Sequence, residues 1–582
     1  METLTYYVLT VTRWILPLLA VWLLVRCIRS MLSERYAPEI WAYLETPEGE
    51  TAAIRHWECI IGRAKSCDVT INRALVSCTH ASLIRSDNGR WRLYDLESKG
   101  GSFVGSQRDL GNGLDVHDGD TLRFADTEMT FHDLDEEQLA SIEAERNAPG
   151  AFVSPGLSFL ILTVFQTVLA LQFTAVLEGD ELIRTVVGFG TLILIQWCYY
   201  LIMRALDRTG FEAETLAFFL STLGVAVVAT SSPGDMYKQV FLLVAAVLFY
   251  IILGGWLRSL RRVKATRWLA AAGALAFLAL NLVAGDTRHG ASNWLSFGGF
   301  SLQPSEFVKV AYIYVGAATL DRLFRKRNIL VFIVFSAVCV GALALMGDFG
   351  TALIFFATFL VISFMRSGSF ATVFLAITGA ALACLLIFTV KPYIAQRFAT
   401  WGHVWEDPYG AGWQQTQGLS AAASGGLFGV GAGRGWLKNV FAADTDMVFC
   451  VLCEELGLII ALCAMLALVV IAFFAVRNAS QGRSSYFVIA ACAAASLMLV
   501  QMGLNVFGSV DILPFTGVTF PFVSKGGSSL ISCWGLLAFI KASDTRSGAS
   551  FSVKLAARRR YEDGDGYDYE EASGSSEEVD GA

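Results

Sequence analysis

The chain is short of charge. Asp, Glu, Lys and Arg make up only 16% of its 582 residues while hydrophobic residues make up 55%. Charge this sparse cannot solvate a soluble surface of such length, which excludes a wholly water-soluble protein and leaves a polytopic membrane protein. A small-residue cleavage site is missing after the first apolar stretch, residues 4 to 27, so that stretch is expected to stay as an anchor rather than leave as a signal peptide. Cysteines placed for an extracellular disulfide are missing too, because all 12 fall in expected spans, near their ends, or in the first soluble segment. Cys450 and Cys453 form a CxxC within an apolar helical run, where membrane-buried thiols are the plainer reading than a redox or metal pair. Much of the acid behind the net charge of −7 sits in a terminal tail, and no nucleic-acid partner is expected.

What is present begins with the anchor, residues 1 to 30, interrupted by Arg13 and followed by Arg26, Arg29 and Arg35, which put its far end in the cytoplasm. Residues 38 to 135 then change character. Short β-rich runs such as Trp91-Arg-Leu-Tyr94 and Thr121-Leu-Arg-Phe124 alternate with turn clusters such as Ser86-Asp-Asn-Gly89, which predicts an all-β sandwich. Within it stand Gly62-Arg63, Ser66-Cys-Asp-Val69, Val76-Ser-Cys-Thr-His-Ala81, Asp95-Leu-Glu-Ser98, Gly101-Ser-Phe-Val104 and Asp118-Gly-Asp120. This series resembles a forkhead-associated (FHA) domain, a family that binds phosphothreonine peptides through its loops. The resemblance implies Arg63, Ser77 and Ser102 as phosphopeptide contacts, with His80 supporting the loops and a threonine-phosphorylated cytoplasmic protein as ligand. An arginine fork and hydroxyl donors suit phosphate oxygens. Where the family usually has Arg after the serine this chain has Cys78, and where it usually has Asn before the glycine it has Gly100.

A charged linker, 136 to 150, leads to a membrane region with apolar spans near 155 to 177, 182 to 204, 213 to 230, 237 to 256, 267 to 285, 304 to 320, 329 to 346, 350 to 366, 370 to 391, 447 to 476, 486 to 507 and 519 to 541. With the anchor this gives about thirteen helices. Basic clusters at Arg204 to Arg208, Arg258 to Arg267, Arg322 to Arg327, Arg366, Arg477 to Arg483 and Arg558 to Arg560 occupy every second loop, as the positive-inside rule requires. The sandwich and the carboxy terminus are therefore expected in the cytoplasm, and the long loop 392 to 446 outside. The tail, 542 to 582, carries a basic cluster from Lys554 to Arg560 and then an Asp-, Glu-, Gly- and Ser-rich run expected to be disordered.

The polar residues kept by the membrane region concentrate at one set of helix ends. Glu306 and Lys309 fall three apart on one helical face, where they can pair or line a polar site. Asp348, Thr445-Asp446 and Glu454-Glu455 stand at or near the starts of spans, and Pro521 to Ser529, with Lys525 and Ser528, enters the last. The loop Trp401-Gly-His-Val-Trp-Glu-Asp-Pro-Tyr-Gly-Ala-Gly-Trp413 gathers acids, aromatics and glycines, followed by the glycine-rich 424 to 435. Unpaired intramembrane charges cost several kcal/mol, so such a cluster points to a shared polar cavity, while helix capping and internal ion pairing is the plainer alternative.

Gln303-Pro-Ser-Glu-Phe-Val-Lys309, Gly347-Asp-Phe-Gly-Thr351, Glu406-Asp-Pro-Tyr-Gly-Ala-Gly-Trp413, Ser424-Gly-Gly-Leu-Phe-Gly-Val-Gly-Ala-Gly433, Thr445-Asp446 with Glu454-Glu-Leu-Gly457, and Pro514 to Ser529 occur in the order and spacing of the SEDS proteins (shape, elongation, division and sporulation), the RodA and FtsW group. This resemblance covers roughly residues 213 to 541. It leaves outside the anchor, the sandwich and two extra helices between 155 and 204. The fold class it implies is a polytopic α-helical membrane protein with a SEDS-type ten-helix core and an inserted cytoplasmic FHA-like sandwich. The implied activity is that of a peptidoglycan glycosyltransferase polymerising lipid II on the outer membrane face, usually with a class B penicillin-binding protein as transpeptidase partner. The family's essential acid falls on Asp407, and its other motif positions on Glu306, Lys309, Asp446, Glu454 and Glu455. Phe441-Ala442 stands where the family commonly has Pro-Glu.

Glycan extension requires an acceptor hydroxyl to attack an anomeric carbon as lipid diphosphate leaves. A carboxylate must take the hydroxyl proton, and cations must meet the developing phosphate charge. Asp407 is the preferred base and Glu406 its rival. Arg397, Lys309 and Lys525 are the candidate phosphate partners, with a divalent cation (Mg or Mn) held by carboxylates as the alternative. A flippase or transporter of the same lipid, and a scaffold recruited through the sandwich, are the readings from other classes.

Overall fold

The computed structural model describes residues 2–33, 40–134 apart from 66, 87 and 88, 153–288, 291–297, 300–320, 326–367, 370–390, 400–479, 482–546 and positions 137, 138, 141, 549 and 551. Arg397, most of the linker, part of the Arg322 to Arg327 cluster, the Lys554 to Arg560 cluster and the acidic tail lie outside the described residues.

The all-β expectation holds. Alternation of apolar and polar residues, as in Trp91–Asp95 where Trp91 and Leu93 are buried and Arg92 is exposed, gives each strand one inward face. One sheet runs in the order Thr51–Ile54, Ala42–Glu45, Thr127–Asp133, Thr121–Phe124, Ser102–Val104, Gln107–Arg108, and the other in the order Val69–Thr70, Glu58–Gly62, Ala81–Arg85, Trp91–Asp95, Leu114–Val116. Their inner faces enclose a core that includes Trp91, Leu93, Leu83, Phe124 and Phe131, with Trp91 edge-on to Phe131 at 5.6 Å between ring centroids.

The described helices are α1 (Glu2–Ser33), α2 (Pro155–Thr174), α3 (Gly179–Ala205), α4 (Glu212–Ser231), α5 (Met236–Leu257), α6 (Leu260–Ala284), α7 (Pro304–Leu320), α8 (Lys326–Leu345), α9 (Phe349–Ser367), α10 (Phe370–Val390), α11 (Trp413–Gly425), α12 (Val448–Glu455), α13 (Leu458–Ala479), α14 (Ser485–Ser509) and α15 (Gly527–Ala542). Among the described residues nine helices are long and apolar enough to cross a membrane, and two shorter apolar helices accompany them, Phe349–Met365 and Gly527–Ala542. The chain is therefore a multi-pass membrane protein. α4 is the central helix, buried along its whole apolar window.

The stretch expected as one span over 447 to 476 is two helices, α12 and α13. Gly457 breaks it at φ +90°, a backbone conformation that side chains rarely adopt. A Cβ there would also collide with the Leu427 carbonyl. The break lets α12 end on two glutamates aimed at the glycine-rich loop.

A buried charge network closes the other end of the bundle. Lys541, fully buried, lies 3.0 Å from Asp544 and 3.6 Å from Glu214. Arg546 bridges Asp544 at 2.7 Å and Glu212 at 3.0 Å, and Ser30 of α1 donates to Glu212 at 2.7 Å. Tyr199 and Tyr250 both donate to Glu214. The network thus joins α1, α3, α4, α5 and α15.

The sandwich sits on the α13–α14 connection. The Trp57 amide donates to the Arg483 carbonyl at 2.6 Å, His56 meets the Gly482 carbonyl at 2.7 Å, and Ser484 and Ser485 both bond Glu58. At the opposite end of α14, the turn after Ser509 carries the long loop: Trp401 donates to the Ile512 carbonyl and the Gly402 amide to Asp511. A helix of this length spans roughly 37 Å. The sandwich and the loop are therefore held at opposite ends of a membrane-spanning element.

Candidate functional site

The loop from Thr400 to Gly412 winds through successive turns around Asp407, whose carbonyl accepts the Gly412 amide at 3.1 Å. Its carboxylate Oδ2 accepts the Ala411 amide at 2.9 Å. The side chain is otherwise exposed at the loop surface. A Cβ at position 410 would meet that carboxylate, so Gly410 leaves the acid room to hold the Ala411 amide. Trp405 is 61% and Tyr409 92% exposed, leaving flat apolar faces beside the acid. Glu406 is exposed as well.

The sequence-expected polar residues separate into distinct groups. Lys309 lies 2.7 Å from Glu306 and donates to Gln501 Oε1 at 3.0 Å, and Gln501 in turn donates to the Thr519 carbonyl and hydroxyl. Thr519 reaches Ser529 at 3.0 Å, next to the buried Ser528. The pair is 1% and 3% exposed at Lys309 and Glu306, which makes it an internal tie between α7, α14 and α15. Asp348 caps α9, accepting the Thr351 amide at 3.1 Å, and also receives Asn293.

Glu454 and Glu455 bind backbone. Glu454 accepts the amides of Trp436 and Leu437, and Glu455 accepts those of Gly433 and Gly435 and the Thr230 hydroxyl. Two carboxylates thereby fix the glycine-rich loop, so these buried acids hold backbone rather than face outward. Asp446 follows a turn in which the Ala442 carbonyl accepts the Thr445 and Asp446 amides, with Ala442 itself at φ +54°. That backbone turn occupies the place of the family's Pro-Glu.

Lys525 is the partly open cation of the group. Its ammonium lies 2.9 Å from Asp235 and 3.4 Å from Asp444 and donates to Ser232 at 2.8 Å. Asp235, Asp444, Ser232 and Gln501 stand outside the motifs. Gln501 carried a signal, an amide within an apolar run, whereas Asp235 and Asp444 are brought together only by folding. Among the described residues no three His, Cys, Asp or Glu side chains converge, and the two acids nearest Lys525 hold its ammonium.

On the sandwich, the Arg63 amide donates to the Ser77 carbonyl, and both residues reach the loop surface. His80 accepts the Ser77 amide and meets the Gly101 carbonyl at 3.1 Å, tying the two loops. Ser102 is not beside them at the surface: it is buried and donates to Asp95 at 2.6 Å, because Asp95 gathers Ser98 and Ser102 to form the turn. The Lys99 amide donates to Ser77 instead. Gly100 packs so closely on Ala125 that any Cβ would clash.

A multi-pass helical bundle with a β-sandwich at one end of α14, and with its acid-bearing loop at the other end, defines the class. The FtsW/RodA/SpoVE cell cycle protein family matches residues 214–547, more than half of the chain, and the FHA domain family matches residues 59–125. The chain belongs to the FtsW/RodA/SpoVE family. It is similar to the peptidoglycan glycosyltransferase RodA of Mycobacterium tuberculosis, 28% identical over 327 residues covering 53% of this chain and 70% of that protein. Stage V sporulation protein E of Bacillus subtilis is 34% identical over 258 residues, 42% of this chain and 69% of that protein. A crystal structure of the rod shape determining protein RodA of Thermus thermophilus overlaps 58% of this chain and 97% of its own at 22% identity, with a TM-score of 0.44.

Proposed function

We propose that this protein is a peptidoglycan glycosyltransferase that polymerises lipid II on the outer face of the cytoplasmic membrane. The observation that carries the reading is the Asp407 carboxylate, exposed on an aromatic-rich loop with Oδ2 engaged by the Ala411 amide and its other oxygen directed to no described partner. In the reaction a sugar hydroxyl of one substrate attacks the anomeric carbon of the other, the bond to the lipid diphosphate breaks, and Asp407 takes the hydroxyl proton. The departing diphosphate needs a cation. Lys525 supplies it better than Lys309, since Lys525 is partly open whereas Lys309 is sealed in its pair with Glu306. Lys525→Met should lower kcat for polymerisation by about 10²-fold, the scale of losing one charge-stabilising group; unchanged kcat in a glycan-gel assay would assign the diphosphate to another cation.

The core acting in this way is residues 213 to 541, carried by the anchor 1 to 30 and the helices of 155 to 204. The positive-inside pattern puts the sandwich and the α13–α14 connection in the cytoplasm and the Asp407 loop outside. A class B penicillin-binding protein is the expected transpeptidase partner, since polymer strands need cross-linking. Purified full-length protein with such a partner and labelled lipid II should yield a ladder of glycan polymer; correctly folded protein that binds lipid II and makes none would overturn the reading.

The sandwich is proposed to recruit a threonine-phosphorylated cytoplasmic protein through Arg63 and Ser77. Arg63→Ala should weaken a phosphothreonine peptide by about tenfold or more in titration calorimetry, the scale of a charge-assisted bond. Equal affinity for phosphorylated and unphosphorylated peptides in the parent protein would remove this role.

A further inference from the structure

The glycine-rich loop is gripped from two sides, and only one grip belongs to the segment matched by the FtsW/RodA/SpoVE family. Glu454 and Glu455 hold the amides from Gly433 to Leu437. The second grip comes from α2, outside the matched residues 214–547. Gln172 is 1% exposed. Its Oε1 accepts the Ala432 amide at 3.0 Å, and its Nε2 donates to Thr12 of α1 at 3.1 Å. Beside it, Phe173 and Val176 line the position that any side chain at Gly433 would need, and Trp14 lies 4.0 Å from Phe428 between ring centroids. A buried amide whose acceptor and donor ends are both engaged is fixed in orientation, because either loss leaves a buried polar group unpaired. α1 then runs to the other end of the bundle, where Ser30 joins the buried charge network a few residues before the sandwich begins.

We propose that Gln172 is a positioning residue for the transfer reaction: with Thr12 it sets the backbone of the glycine-rich loop from helices that precede the catalytic core. This rests on the glycosyltransferase reading of Asp407, whose loop leads through α11 into the glycine-rich loop. Gln172 touches no reacting atom. Its effect passes through the Ala432 amide to the loop that follows α11, the helix that starts at the Asp407 turn, so it acts on the geometry of reaction more than on substrate affinity. The anchor and extra helices are then part of the catalytic frame.

The test uses the full chain with its transpeptidase partner and labelled lipid II. Gln172→Leu keeps the volume and removes both bonds; kcat is expected to fall about tenfold while KM changes by less than about threefold, with the unfolding temperature near that of the parent. Gln172→Glu, which keeps an oxygen for the Ala432 amide, should restore most of kcat. A folded Gln172→Leu with unchanged kcat overturns the role. So does a loss of kcat that tracks the unfolding temperature and is not restored by Gln172→Glu, since that is scaffolding alone. Should Gln172→Leu not fold, Thr12→Val removes the hydroxyl that orients the amide and should lower kcat about threefold; no change there also overturns it. A parent chain that makes no polymer in the same assay would instead overturn the proposed function, and this role with it.

Discussion

Asp407→Ala is expected to lower lipid II polymerisation by about 10²–10⁴-fold, the range for removing a general base, with lipid II binding retained. The carboxylate has two separable tasks. Its Oδ2 receives the Ala411 amide and so shapes the turn, while the exposed remainder can receive a proton. Asp407→Asn divides them: the amide oxygen still accepts from Ala411, so the loop keeps its shape, but no proton can be taken up. The asparagine variant should therefore be as inactive as the alanine variant while matching the parent in thermal unfolding. Activity in Asp407→Asn near the parent level would mean that the residue only shapes the loop, and attention would pass to the neighbouring Glu406.

Lys541→Met should cost about 3–5 kcal/mol of stability, the scale for removing one partner of a buried ion pair. The ammonium is fully enclosed and faces Asp544 and Glu214, so its loss leaves buried carboxylates without that neutralising charge. Thermal unfolding in detergent measures the effect, and a variant as stable as the parent would show that the carboxylates are neutralised elsewhere. Asp544 gives the same network a pH signature. Burial works against its ionisation, but the Arg546 guanidinium and then the Lys541 ammonium outweigh burial and hold its carboxyl below the usual carboxylate range. A group with a depressed folded value adds stability above its unfolded value and loses it as pH falls through the folded one. The contribution from Asp544 is thus full at neutral pH and declines only in strong acid.

The sandwich was legible because strand alternation and turn clusters are local signals, and the spans because twenty apolar residues announce themselves. The break at Gly457 was not, since an apolar run reads the same whether or not the Leu427 carbonyl crosses it. Asp407 could be singled out from its loop motif, and Glu306 and Lys309 could be paired from their spacing. The roles of Glu454 and Glu455 depend on which backbone amides converge on them, about twenty residues upstream, and no spacing rule encodes that. The same holds for Asp235 and Asp444, which meet only at Lys525. Ser102 stands at a motif position for phosphate, and its hydroxyl donates to Asp95 inside the turn, a partner that no motif spacing announces.

In the proposed reaction the chain joins sugars rather than moving them across the bilayer. The most direct measurement reconstitutes the full-length protein with its transpeptidase partner in vesicles whose labelled lipid II lies only in the leaflet facing the Asp407 loop, and follows both glycan polymer and label in the other leaflet. Polymer that forms from this pool without transfer of label between leaflets, and that vanishes in Asp407→Asn, is the predicted result. Transfer of intact lipid II across the bilayer with no polymer would contradict it.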